Sequence, residues 1–380
     1  MKFSIQRQTF LKYLTDVQRA ISPKAAIDIL HGFKLELFPD ALKLTGSNAD
    51  ITIQTIISIS DEKANLQIFE EGSVVLSANI FSEIIKKLPA DELEVSVDSR
   101  LQTTITSGKA EFTILGQDAD MYPHLPELSA QSSLVLSSDI LKKVIDQTSI
   151  AISNQESRPL LTGIHLLITD QKLLAVATDT HRLSQRTIHL GEAAGDAHYD
   201  LVIPGKSLKE LAKMLNDDHS EVEIQIADNQ VLFILGHTSF YSRLLEGNYP
   251  DTKRLIPQTS ETTATFNAQS LLQAIERSSL VSHAGRNNVV KFTLDVENQE
   301  VIITGNSPEV GTVEESISFS ELTGKNLEIS FNPDYMRDAL RSLGNTETTL
   351  EFTMPLRPFI LVPTEAENDF IQLITPVRTA

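Results

Sequence analysis

The 380-residue chain has no cysteine and no tryptophan, few aromatic residues (6%) and no long apolar run. Without cysteine, disulfides, thiolate zinc sites and cysteine nucleophiles are all excluded, and a reducing cytoplasm is the expected setting. So few aromatics argue against a base-stacking platform. The opening MKFSIQRQTFLKYLT has no apolar h-region, so no secretory leader is expected, and no stretch is long enough to span a bilayer. Helix-turn-helix and zinc-finger patterns are missing, as is any Gly-rich phosphate loop. Positive charge is scarce too. Thirty-two Lys and Arg against 51 Asp and Glu leave a formal charge of −19, which at face value argues against a nucleic-acid partner.

What the chain does contain is repetition. VLSANIFSEIIKKLPADELEVSV (75–97), VIPGKSLKELAKMLNDDHSEVEI (202–224) and ISFNPDYMRDALRSLGNTETTLEF (329–352) each read as strand, helix, polar turn and strand. Leu88, Leu215 and Leu343 close the three helices at a near-constant offset. Asn79, Ser207 with Glu210 three residues on, and Asn332 before Pro333 are the expected helix starts. FLKYLTDVQRAIS, ILKKVIDQTSIAIS and LLQAIERSSLVS give a second set of amphipathic helices. Each precedes paired alternating strands with short polar turns, the mark of hairpins. The expected architecture is α+β: three similar tandem domains over 1–126, 127–254 and 255–380. Each would pack two helices on about eight antiparallel strands, with joints in 124–133 and 255–263.

The charge is unevenly placed. Six helical windows (10–21, 80–88, 138–150, 206–215, 269–280 and 333–343) hold twelve Lys and Arg against eight Asp and Glu, a net of +4. The remainder holds 20 against 43, a net of −23. With a Debye length of about 8 Å, acid on the far side of a sheet is muted at a helix-lined surface. A faintly cationic lining would make few phosphate contacts, giving weak, salt-sensitive, sequence-blind affinity. Such affinity suits a protein that slides.

One segment looks chemical. LAVATDTHRLSQ (174–185) sets Thr178, Asp179, Thr180, His181 and Arg182 together after an apolar run, while the matching loops read TGSNAD and TGNSPE. Hydrolysis centred on His181 and Asp179 would need an oxyanion hole, and no Gly-rich elbow supplies one. A binding loop and a protein-interaction scaffold without DNA are the other readings.

MKFSI, TGSNAD, VATDTHRLS, VIPGKSLKEL, EGNYPDTKRLIP, FNPDYMRDAL and LITPVR, in this order on a threefold repeat, make the chain resemble the bacterial DNA sliding clamp family. That family is the beta subunit of DNA polymerase III, and MPLRPFILVP points to its Gram-positive branch. The resemblance implies a head-to-tail homodimer, a ring around double-stranded DNA that binds without sequence preference and lacks catalysis, metal and cofactor. The partners it implies are the alpha-type catalytic subunit of the polymerase, an ATP-dependent clamp loader, and other replication and repair proteins carrying a short clamp-binding peptide; no membrane is among them. By resemblance, the peptide cleft takes Leu161, Thr178, Thr180, His181, Arg182 and Leu183 from the second unit. Pro250, Arg254 and Leu255 come from the joint, and Tyr335, Leu356, Pro358, Leu373, Pro376, Val377 and Arg378 from the third unit. Lys24, Lys86, Gln155, Lys206 and Lys213 are the implied DNA contacts. Phe112 and Ile114 would meet Leu280 and Val281 of the neighbour, beside Glu111 where relatives can carry arginine. Thr180 and Thr375 stand where many relatives have glycine and methionine.

Overall fold

A computed structural model describes residues 1–48, 50–123, 132–169, 171–190, 198–216, 219–284, 288–365 and 369–378. Most of the joint expected at 124–133, with the boundary at 126, lies outside the described residues. By packing, the chain forms two compact units, Met1–Leu141 with Glu210–Leu244 and Lys142–Lys209 with Leu245–Ala380.

In the first unit, a five-stranded antiparallel sheet runs in the order β5 (Gln67–Glu70), β1 (Lys2–Gln6), β7 (Glu92–Val97), β8 (Gln102–Ser107), β9 (Ala110–Leu115). An eight-stranded sheet begins with β10 (Ser132–Ser137), β15 (Glu221–Ile226), β16 (Gln230–Leu235) and β17 (Thr238–Arg243). It continues through β4 (Ile51–Ser58), β3 (Ala41–Ser47), β2 (Gly32–Leu37) and β6 (Gly72–Ser77).

The second unit repeats the plan. A nine-stranded sheet runs β14 (Tyr199–Pro204), β11 (Gly163–Thr169), β12 (Lys172–Thr178), β13 (Arg182–His189), β26 (Phe370–Ile374) and β25 (Phe359–Pro363). It ends with β24 (Glu347–Phe352), β18 (Thr262–Asn267) and β22 (Glu321–Thr323). A four-stranded sheet holds β21 (Gly311–Ser316), β20 (Glu300–Ser307), β19 (Val290–Asp295) and β23 (Leu327–Phe331).

The middle third of the chain therefore gives β10 and β15–β17 to one unit and β11–β14 to the other. Each gift is sealed by a strand pair of long sequence separation. In the first unit Thr55 faces Thr238 with hydroxyls 2.9 Å apart, and in the second Leu183 faces Leu373. Three tandem repeats thus pack as two bodies because two sheets run on across the joints.

The helices are α1 (Arg7–Gln18), α2 (Ala78–Lys87), α3 (Ser138–Thr148), α4 (Gly205–Ala212), α5 (Ala268–Ala284) and α6 (Pro333–Leu343). Helical spacing buries Phe10, Leu14 and Val17 on α1, and Met336, Ala339 and Leu340 on α6. Phe3, Phe10, Phe81 and Phe33 meet edge-on in the first unit, while Phe292, Phe331 and Phe359 form the matching core of the second.

Asn332 caps α6 as expected, its side chain accepting the Asp334 N–H at 2.9 Å with Pro333 at the first helical position. Asn79 and Ser207 do not start their helices. α2 begins at Ala78 and α4 at Gly205, because β6 and β14 pass into them without a loop. At Gly205 a β-carbon would sit 2.7 Å from the Ile152 side chain and 3.0 Å from the Thr162 carbonyl oxygen, so glycine lets that junction pack without a shift. α4 also stops short of Leu215, and α5 runs past 280. None of the helices among the described residues is long and apolar enough to cross a membrane.

Candidate partner-binding loop and assembly surfaces

Residues 179–181 join β12 to β13. Asp179 makes the turn: one carboxylate oxygen accepts the N–H of His181 at 2.9 Å and of Arg182 at 3.0 Å. In the first third Asn48 does the same for Asp50 and Ile51 at 2.8 and 2.9 Å, between β3 and β4. The turn is common to the two repeats. The charge is not, since Arg182 stands where the first repeat has Ile51.

The remaining loop groups are spent on holding it. The Thr178 hydroxyl donates to the Arg182 carbonyl at 2.7 Å and accepts the Thr180 N–H at 3.2 Å. Thr180 itself adopts φ +79°, a left-handed conformation that β-branched residues avoid. Arg182 donates from Nε to Asp179 at 3.0 Å and from Nη1 to Asp338 on α6 at 2.7 Å. Its guanidinium carbon lies 4.6 Å from the centre of the Tyr335 ring, on which the exposed His181 also stacks. Burial raises the Tyr335 phenol above its usual range, with the Asp179 charge adding to the rise. Asp179 and Thr178 are thus already committed to the turn and to Arg182. The trio expected of a hydrolase is a brace for the loop.

Next to the brace lies an apolar floor of Val176, Leu183, Ile360 and Leu373. Leu183 and Leu373 are 1% and 4% exposed, because each is the other's cross-strand partner. The large apolar side chains open to solvent among the expected cleft residues are Leu255 and Leu356. Leu161 is buried, and Pro358, Pro376 and Val377 are half-buried. Pro250, Arg254 and Arg378 are exposed, Arg254 pairing with Asp251 at 3.0 Å. The C-terminal segment is tied down by Thr375 N–H to the His181 carbonyl at 2.9 Å and Val377 N–H to the Ser330 carbonyl at 2.7 Å.

Two supports escaped sequence reading. Tyr249, read only as the end of a domain, accepts the Thr178 N–H at 3.2 Å and stacks on His165; burial pushes its phenol up to about 12. Asp338 lies 156 positions beyond Arg182, and no local pattern marks it.

Lys24, Lys86, Gln155, Lys206 and Lys213 are all exposed. Lys86 stands 3.8 Å from Glu83, while Lys213, just beyond α4, pairs with Glu210 at 2.6 Å. Such exposed pairs contribute little to stability. Phe112 and Ile114 lie on β9, the edge of its sheet, with Phe112 and Leu115 exposed. Leu280 and Val281 lie on α5, Leu280 being 73% exposed. β21 is a second open edge, at one end of the four-stranded sheet.

Family models for the DNA polymerase III beta subunit match the chain three times over: the N-terminal domain at 1–126, the central domain at 135–251 and the C-terminal domain at 253–378. The chain belongs to the DNA polymerase III beta subunit family, the beta sliding clamps. It is 45% identical to the beta sliding clamp of Streptococcus pneumoniae over 378 residues, 99% of both chains. It matches the crystal structure of the Bacillus subtilis DNA polymerase sliding clamp with TM-score 0.96 and 44% identity, covering all of both chains. A Pseudomonas aeruginosa clamp solved with griselimycin matches over all of both chains with TM-score 0.91 but only 26% identity, so the nearer kinship is Gram-positive. As a beta sliding clamp the protein is a processivity factor in DNA replication, not an enzyme. DNA, a second copy of itself and the polymerase are its working partners.

Proposed function

We propose that two copies close head to tail into a ring threaded by duplex DNA, with residues 1–126, 127–254 and 255–380 as the repeating domains. Exposed Phe112 and half-buried Ile114 on the open β9 edge meet Leu280 and Val281 of the neighbour, and the open β21 edge lies at the same junction. Such a contact is heterologous, and three similar domains per chain allow it to close. The helices line the bore, where Lys24, Lys86, Gln155, Lys206 and Lys213 touch phosphates weakly. Topology, not affinity, then supplies residence on DNA.

A partner's extended peptide docks at the braced loop, contacting Thr178, Thr180, His181, Arg182, Leu183, Leu161, Pro250, Arg254 and Leu255. Tyr335, Leu356, Pro358, Leu373, Pro376, Val377 and Arg378 complete the cleft. Each apolar peptide side chain buried there contributes about 1.5–3 kcal/mol. The polymerase catalytic subunit, an ATP-dependent loader and other replication and repair proteins compete for it, and the setting is the cytoplasm around the nucleoid. Tethering raises the polymerase's effective concentration, so one that lets go rebinds before escaping.

The observation that carries this reading is a loop fixed by Arg182 and Tyr335, with His181 outermost, at the edge of an apolar floor. The test is retention: with loader and ATP the protein stays on nicked circular DNA and is lost when the circle is cut. Equal retention before and after cutting would rule out a topological link.

A further inference from the structure

We propose that Asp338 is a positioning residue for partner binding that acts through Arg182. The inference rests on the peptide-site reading above. It adds a residue on α6 that sets what the loop offers.

The geometry is specific. Tyr335 and Asp338 are one helical turn apart, so they share a face of α6, and both meet the guanidinium of Arg182. Asp179 takes Nε and Asp338 takes Nη1, which leaves Nη2 as the guanidinium nitrogen with no bond among the described residues. A peptide carbonyl or side-chain amide oxygen is the acceptor that donor suits, since the two nearby carboxylates already neutralise the cation. Arg182 keeps only 16% of its side-chain surface exposed, so the pair is screened less than a surface ion pair.

Asp338 is itself held in place. Its second oxygen lies 3.5 Å from Arg337, whose other nitrogen pairs with Asp334 at 2.6 Å, and Asp334 accepts from His283 and Asn288. Lys209 on α4 also bears on the site. Burial first, then the Arg182 charge, lowers its pKa, while Asp338 opposes the fall. Removing the Asp338 charge would leave Arg182 beside Lys209 with Asp179 as its remaining carboxylate partner. Repulsion would then swing the guanidinium off Tyr335.

The repeat sharpens the point. Asp338 lies five residues before Leu343, as Glu210 does before Leu215 and Glu83 before Leu88. Glu210 takes Arg19, which caps the end of α1, at 3.6 Å and Lys213 at 2.6 Å, and Glu83 pairs among the described residues with Lys86 and Lys87 of its own helix. Of these three acidic residues, Asp338 is the one that pairs, among the described residues, with the loop that carries His181.

The experiment uses a synthetic Gln-Leu-Ser-Leu-Phe peptide, whose amide oxygen suits the Arg182 donor and whose apolar side chains suit the floor; its binding to the full-length dimer is measured by fluorescence polarisation, with mass and melting temperature checked for each variant. Asp338→Asn is expected to weaken binding about tenfold, Asp338→Glu to stay within about twofold of wild type, and Asp338→Asn to add nothing in an Arg182→Ala background. Wild-type affinity in Asp338→Asn, or losses that multiply in the double variant, would overturn the proposal. Should Asp338→Asn melt early, Arg182→Ala decides: wild-type affinity there leaves Asp338 nothing to act through. A wild-type protein that does not bind the peptide instead removes the cleft reading itself.

Discussion

The Tyr335 ring lies under the Arg182 guanidinium at 4.6 Å and also stacks with the His181 imidazole at 6.3 Å, so one aromatic side chain orients two adjacent polar side chains where the loop enters β13. A cation over a partly buried ring is worth about 0.5–2 kcal/mol. Tyr335→Phe keeps the ring and should leave peptide affinity within about twofold, whereas Tyr335→Ala frees both side chains and should lower it about tenfold. Polarisation titrations with a labelled peptide separate the two. Equal losses in both variants would assign the role to the hydroxyl instead.

Thr180 carries backbone strain at φ +79°. Glycine adopts that conformation freely, so Thr180→Gly should stabilise the folded chain by about 1 kcal/mol if the loop keeps its shape. A melting temperature higher by a few degrees, with unchanged dimer mass, is the expected result. A lower one would mean that the Thr180 side chain holds more than its backbone costs.

Asp334 sets an acid limit. Burial alone would raise its pKa, but hydrogen bonds from His283 and Asn288 and the Arg337 charge hold it below the usual carboxylate range. A depressed folded-state pKa stabilises the fold above the unfolded value of about 3.9, and that contribution is lost as pH falls through the folded value. Urea midpoints should therefore drop steeply below about pH 4. Asp334→Asn should lower the midpoint at neutral pH and flatten that acid limb. An unchanged limb would place the acid-sensitive groups elsewhere.

What could be read beforehand follows the range of the interactions. Asn332-Pro333 is legible because a cap bonds two residues away. Asn79 misleads because β6 runs straight into α2, which neighbouring residues do not reveal. The TDTHR cluster is visible as unusual, and its comparison with TGSNAD correctly sets it apart, yet its chemistry depends on Tyr335 and Asp338 far along the chain. Burial of Leu183 and Leu373 likewise comes from the pairing of β13 with β26, a contact of long range that period-two alternation cannot specify. The threefold repeat is plain in the sequence, but its packing into two bodies is not. That division is decided by which strand edges meet.

Head-to-tail closure makes a prediction that a two-fold symmetric dimer does not. Each chain offers two different surfaces, β9 with exposed Phe112 and the α5 end with exposed Leu280. A charge at either should spoil both junctions of a homodimer, since burying a carboxylate among apolar groups is costly. Phe112→Asp alone and Leu280→Asp alone should each run near the monomer mass of 42.0 kDa. Mixed together, they retain one intact junction, Phe112 of the Leu280→Asp chain against Leu280 of the Phe112→Asp chain. The mixture should thus recover a pair of twice the monomer mass that is open at its other end. Sedimentation would show the pair, and retention on nicked circular DNA would fail because the ring cannot close. A mixture that stays monomeric would refute the assignment of these two surfaces to one junction. One that is retained on the circle like wild type would refute their need for closure.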